Sequence, residues 1–155
     1  MSDTGDKSII AFKTDDSAKW VHVVFSAAAS SAAHAYILEA PTITDDTGAT
    51  LAIYNRNCNS GTTSGVWDTS VNPDVQGQAM YFTEATMGNV TVGTELEHIH
   101  LQAGAGNKAV GGSGRGAQEW ILAPDTMYAF VIESENNDDN IHEVNVDWYE
   151  HTDKN

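Results

Sequence analysis

A single cysteine, Cys58, stands among 155 residues, so no disulfide forms within the chain and a cross-linked secreted scaffold is not expected. Cations are scarce too: seven Lys and Arg face 22 Asp and Glu, a formal charge of −15. Nucleic acid and anionic membrane both require clustered positive charge, so neither is expected as a partner. No apolar run approaches the ~20 residues that cross a bilayer. Residues 1–7 lack the basic start and apolar core of a signal peptide. The expectation is a soluble protein folded in a reducing cytoplasm.

Also missing is any convincing amphipathic helix; the chain offers apolar and polar residues in alternation. Strands are expected at 8–13, 20–25, 35–40, 51–54, 79–83 and 89–101, and at the C-terminal end in 118–122, 127–132 and 141–149. Residues 20–25 carry apolar groups on both faces, the mark of a strand covered on both sides. In the final run Val144, Val146 and Trp148 share one face while Asn145, Asp147 and Tyr149 share the other. The insert 136–140 is all Asn and Asp, residues that favour turns by bonding their own backbone, so the last runs read as a meander closed by a hairpin. Residues 42–50, 55–65, 66–78 and 103–116 read as turns or irregular loops. The fold expected is all-β, an antiparallel two-sheet sandwich of jelly-roll type. One domain suffices for this length: a flexible segment at 1–7, a sandwich at 8–150 and a tail at 151–155.

Candidate chemistry is thin. His98 and His100 in Glu97-His98-Ile99-His100 would project from one face of a strand, as a cupin-type jelly roll presents two metal-binding imidazoles after a glycine, here Gly93. No carboxylate follows at the expected place, and His142 is available only as one more histidine. A polar or interface strand is the plainer reading, so no metal and no cofactor is expected, with His98 and His100 as the weak alternative. Oxygen donors at 45–48 and 136–140 could hold Ca²⁺ but lack the alternation of an EF-hand loop, which favours ordinary turns. Cys58 has no histidine near it in sequence, no Gly-x-Ser-x-Gly elbow exists, and 111–116 shares only its glycines with a phosphate loop. No catalytic residue, and no enzyme, is expected.

Trp20, Trp120 and Trp148 lie in alternating runs and are expected to anchor the core. Trp67 lies in a polar loop and is a contact residue or a plug at the end of the sandwich. Tyr128, Phe130 and Ile132 share one face, and Met127, Ala129 and Val131 the other. One of these faces is expected in the core and the other against a second sheet or subunit.

The segment Trp120-Ile121-Leu122-Ala123-Pro124-Asp125-Thr126-Met127-Tyr128 and the ending Trp148-Tyr149-Glu150-His151-Thr152 together resemble a family of tailed-bacteriophage virion proteins. Lys19-Trp20-Val21-His22-Val23 and Tyr54-Asn55-Arg56-Asn57 extend the resemblance toward the N-terminus. It implies a non-enzymatic jelly-roll protein that decorates the capsid, a cement protein on the head surface of the virion, made in the host cytoplasm. The major capsid protein and sister copies in a homotrimer would be its partners. Trp67, Arg56, Arg115 and Tyr149 are the candidate partner-binding residues. The alternative is a tail or fibre module whose loops around Trp67 and 111–116 read host glycans, and a third reading is a cupin-like metalloprotein.

Overall fold

The structure, a computed structural model, describes residues 6–17, 19–43, 48–69, 74–83, 90–91, 93–102, 110–113, 119–135 and 140–152. Strands fill most of them, and no helix occurs among them. In chain order these are β1 (Lys7–Lys13), β2 (Lys19–Ala29), β3 (Ala33–Glu39), β4 (Thr42–Ile43), β5 (Ala49–Ala52), β6 (Trp67–Asp68) and β7 (Val75–Gln76). They continue with β8 (Gln78–Thr83), β9 (Val90–Thr91), β10 (Thr94–Leu101), β11 (Val110–Ser113), β12 (Trp120–Leu122), β13 (Met127–Ser134) and β14 (His142–Thr152).

A large antiparallel sheet runs β10-β3-β13-β1, and β1 is flanked beyond by β8 and by the short β6, with β5 and β7 outside those. The smaller sheet is built on β2. Its whole length pairs with β14 on one side, so β11 and β12 share the other, against Ser26–Ala29 and Val21–Val23. The protein is an all-β two-sheet sandwich, with β4 and β9 forming a separate small ribbon.

Period-two alternation explains the core. Val21, Val23, Phe25, Ala27 and Ala29 of β2 are buried, as are Ala33, Ala35 and Ile37 of β3 and Tyr128, Phe130 and Ile132 of β13. Phe130 sits between Phe12 of the same sheet, centroids 5.7 Å apart, and Phe25 of the opposite sheet at 5.4 Å. Trp120 and Trp148 pack onto this cluster from the smaller sheet. The other face of β13 is covered within the same chain: Ala129 and Val131 join Ile9, Ala11, Leu38, Met80 and Phe82 in a second cluster.

The meander expected at the C-terminal end does not form. β12 and β14 lie in the small sheet and β13 in the large one, so successive strands cross between layers. Asn140 explains why the last crossing sits where it does. Its side-chain oxygen accepts from Ser31 N (2.8 Å) and Ser30 Oγ (3.0 Å), and its amide nitrogen reaches Ala32 O (3.4 Å), tying the β13–β14 crossing to the β2–β3 crossing. Turn chemistry is present, but it closes an arch between sheets instead of a hairpin. The crossing from β12 to β13 uses Asp125 at φ 50°, a left-handed position that Asp tolerates. Buried Thr14 pins it, donating to Ala123 O (2.7 Å) and accepting from Thr126 N (3.0 Å). Tyr128 completes the lock: its hydroxyl accepts from Ala123 N (2.9 Å) and donates to Glu39 Oε1 (2.8 Å). Burial first, then Glu39, pushes its pKa up to about 12, so it remains a donor at neutral pH.

Smaller expectations also shift. The stretch 42–50 contains β4 and the start of β5, 66–78 contains β6 and β7, and 89–101 is broken into β9 and β10. Gly111, Gly112 and Ser113, read as loop, form β11 on the edge of β2, where the small residues Ala28, Ala27 and Ser26 lie opposite them. Gly93 serves close packing, since a Cβ there would meet Glu39 O at 2.2 Å.

Candidate functional site

The ending Trp148-Tyr149-Glu150-His151-Thr152 continues β14 to its last residue, and alternation gives its side chains two separate jobs. Trp148 and Glu150 turn inward. The indole packs on Phe12 (centroids 5.3 Å) and donates to Ser64 Oγ at 3.2 Å. The Glu150 carboxylate accepts from Gly65 N at 2.9 Å and from Ser64 Oγ, with Lys19 Nζ 3.7 Å away. Together they moor the end of the long Asn/Ser/Thr/Gly loop. Glu150→Ala should cost about 1–3 kcal/mol, the range for a charge-assisted hydrogen bond lost from a largely covered site. Hydrogen exchange at the Gly65 amide should accelerate, and an unchanged exchange rate would contradict the mooring.

Tyr149 and His151 turn outward onto the exposed face of the small sheet. Tyr149 lies opposite His22 in register and stacks on it at 4.7 Å, while His22 Nε2 meets His151 Nε2 at 2.7 Å and Trp20 flanks His151 at 5.9 Å. Glu119 approaches His22 Nδ1 to 3.0 Å. Hydrogen bonding to His22, then to Tyr149, holds the exposed Glu119 carboxyl below its ordinary range, and the same contact raises the Tyr149 pKa. Arg56 reaches from its loop to Asp147 on this face. Beside these groups stand Ile121 and Val24, 56% and 46% exposed, with Trp20 at 42% and Tyr149 at 53%. The core role expected of Trp20 is therefore wrong, because it has the opposite parity to Val21, Val23 and Phe25, which fill the core. The same parity leaves β2 covered on one side only, apart from His22, which its ring neighbours bury.

A second constellation lies on the outer face of the large sheet, at its β10 edge. His98 pairs with Tyr36 and His100 with His34 across the β10–β3 ladder. A bulge between Glu95 and Glu97 changes the parity of β10: Glu97 accepts from Trp120 Nε1 (2.9 Å) toward the interior, while Glu95 reaches His98 Nδ1 (3.0 Å) outside. His34 and His100 stack at 4.8 Å with 14° between their planes. Both Nε2 atoms face Glu135 Oε1, His34 at 3.2 Å and His100 at hydrogen-bonding distance. His34 Nδ1 meets His98 Nε2 at 2.9 Å. In the adjoining cleft Glu133 accepts from Tyr36 OH (2.9 Å) and pairs with Lys7 (2.9 Å). Burial and the Glu133 charge raise the Tyr36 pKa well above its ordinary value.

His142 takes no part in this cluster. It stands half-buried where β14 meets the large sheet, its Nε2 2.8 Å from Ser134 Oγ and its Nδ1 3.1 Å from Ser8 Oγ. Burial lowers its pKa, outweighing the opposing pull of Asp6. The folded state thus binds this proton less readily than the unfolded chain. Its contribution is complete above about pH 6.5 and fades as acid protonates the ring. Chemical denaturation from pH 7 to pH 5 should show a smaller loss of stability in His142→Asn than in the parent chain.

Of the sequence-derived candidates, Arg56 and Tyr149 meet on the small-sheet face. Trp67 is half-buried in β6, opposite Lys13 and Gln76, away from them. Arg115, the possible Ca²⁺ donors at 45–47 and those at 136–139 lie outside the described residues. His98 and His100 do come together, but with His34 and Glu135, which sequence spacing did not single out because only strand register unites them. No known protein family, curated protein or solved structure matches the chain.

Proposed function

We propose that the protein is a non-enzymatic virion component of a tailed bacteriophage, a decoration protein that binds the outer head surface as a homotrimer and stabilises the shell. The observation that carries the reading is the small-sheet face, where Trp20, Val24, Ile121 and Tyr149 stand exposed on three adjacent strands. Exposed apolar and aromatic side chains gathered on one sheet face, set among polar groups such as Asp147 and His151, mark a contact surface. The residues that resemble the virion family also have coherent structural work: Asp125 and Tyr128 shape one inter-sheet crossing, and Trp148 and Glu150 seat the loop bearing Arg56. Cement proteins act at many equivalent shell junctions, so modest contacts suffice when symmetry multiplies them. The net charge of −15 suits a basic acceptor surface, and binding should weaken as salt rises.

The purified protein, added to undecorated expanded heads, should bind in hundreds of copies and raise the temperature at which the heads open. A few to a few dozen copies per particle would place it on the tail, as a glycan-reading module. Absence from particles and a monomeric state in solution would reject both.

A further inference from the structure

The cluster at the β10 edge has a property that the decoration reading does not use. We propose that His34, His100 and Glu135 form a binding site for a divalent transition-metal ion such as Zn²⁺, with His98 and Glu95 orienting His34 from behind. The three donor atoms lie within 4.8 Å of one another. Tetrahedral zinc with bonds of about 2.0–2.1 Å spaces its ligands about 3.4 Å apart, so against the 4.8 Å limit no pair needs to close by more than about 1.4 Å. The His34 to Glu135 separation, 3.2 Å, is already there. His100 and Glu135 are exposed and His34 half-buried, so rotamer adjustment supplies the closure without moving the sheet. Two imidazoles and a carboxylate are the donor set of borderline ions such as Zn²⁺, Ni²⁺ and Cu²⁺, not of Ca²⁺ or Mg²⁺.

The hydrogen-bond geometry points the same way. With a cation on His34 Nε2, His34 Nδ1–H donates to His98 Nε2 (2.9 Å), and His98 Nδ1–H donates to Glu95 Oε1 (3.0 Å). This carboxylate–imidazole relay behind a ligand is how metal sites fix the tautomer and raise the basicity of the coordinating histidine. The bulge that turns Glu95 outward is what makes the relay possible. Three protein ligands at a surface leave a fourth position for water.

The inference stands apart from the proposed role in the virion, because it is read on the isolated chain. Full-length protein without a histidine tag, stripped with chelator, is titrated with ZnCl₂ by calorimetry. One ion per chain at micromolar affinity or tighter is expected. His34→Ala and His100→Ala should each weaken binding at least 100-fold, and His98→Ala about 10–100-fold as an orienting residue. His151→Ala, in the other histidine pair, should bind like the parent. Co²⁺ in place of Zn²⁺ should give the visible bands of a tetrahedral nitrogen/oxygen site, lost in His100→Ala, with circular dichroism showing that each variant folds. No saturable binding by the parent chain, affinity unchanged in His34→Ala and His100→Ala, or loss in His151→Ala alone would each overturn the proposal.

Discussion

Phe130→Ala should lower the free energy of unfolding by about 3–5 kcal/mol, the cost of deleting a buried phenyl ring and leaving part of its volume empty. Phe130 is fully buried, and it links both layers, touching Phe12 beside it and Phe25 opposite. Its strand pairs with β1 and β3 at once, so neither neighbour can move in to fill the space without breaking a ladder. Against a typical total of about 5–15 kcal/mol, the loss would leave the domain marginal. Urea denaturation reads it directly as a lower midpoint with little change in slope. A loss below about 1 kcal/mol would mean that the two sheets are not packed through this ring.

The second large effect concerns the exposed face. Val24→Asn together with Ile121→Asn should reduce occupancy on undecorated heads about tenfold, because two desolvated polar groups at the centre of an interface need to cost only about 0.7 kcal/mol each, and ~1.4 kcal/mol is a factor of ten. Val24 faces Asp147 and Ile121 faces His22 in the ladders, so both side chains lie within the patch around Tyr149. Their exposure means that thermal stability should hardly change. Tyr54→Ser, on the moored loop and 86% exposed, is the matching control and should bind as the parent does. Equal occupancy for the double variant and the control would show that the shell is met by another surface.

Strand existence was legible because the cues are local: 142–149 carries its own period, and the apolar faces of 20–25 and 127–132 mark strands, of which only the second is buried on both sides. Strand partners were not. The Asn/Asp insert after β13 announces that the chain turns, yet only the bonds from Asn140 to 30–32 decide that it turns between layers. Parity alone could have placed Trp20 outside, since it alternates with Val21 and Val23. For the histidines the limit is sharper. His98 and His100 are close in sequence, but His34 and Glu135 join them through ladders from β3 and the end of β13, and a bulge no composition signals sets Glu95 beside them.

The pairing of β2 with β14 joins all eleven residues of each, from near the two ends of the sequence. A nascent polypeptide exposes Val21, Val23 and Phe25 on the ribosome long before the neighbouring strand, with Val144, Val146 and Trp148, has been synthesised. Non-local closure of this kind is slow, on the order of milliseconds to seconds for sandwiches. The acidic surface and the scarcity of cysteine then have a second use, keeping half-made copies apart and free of wrong cross-links until the last strand arrives.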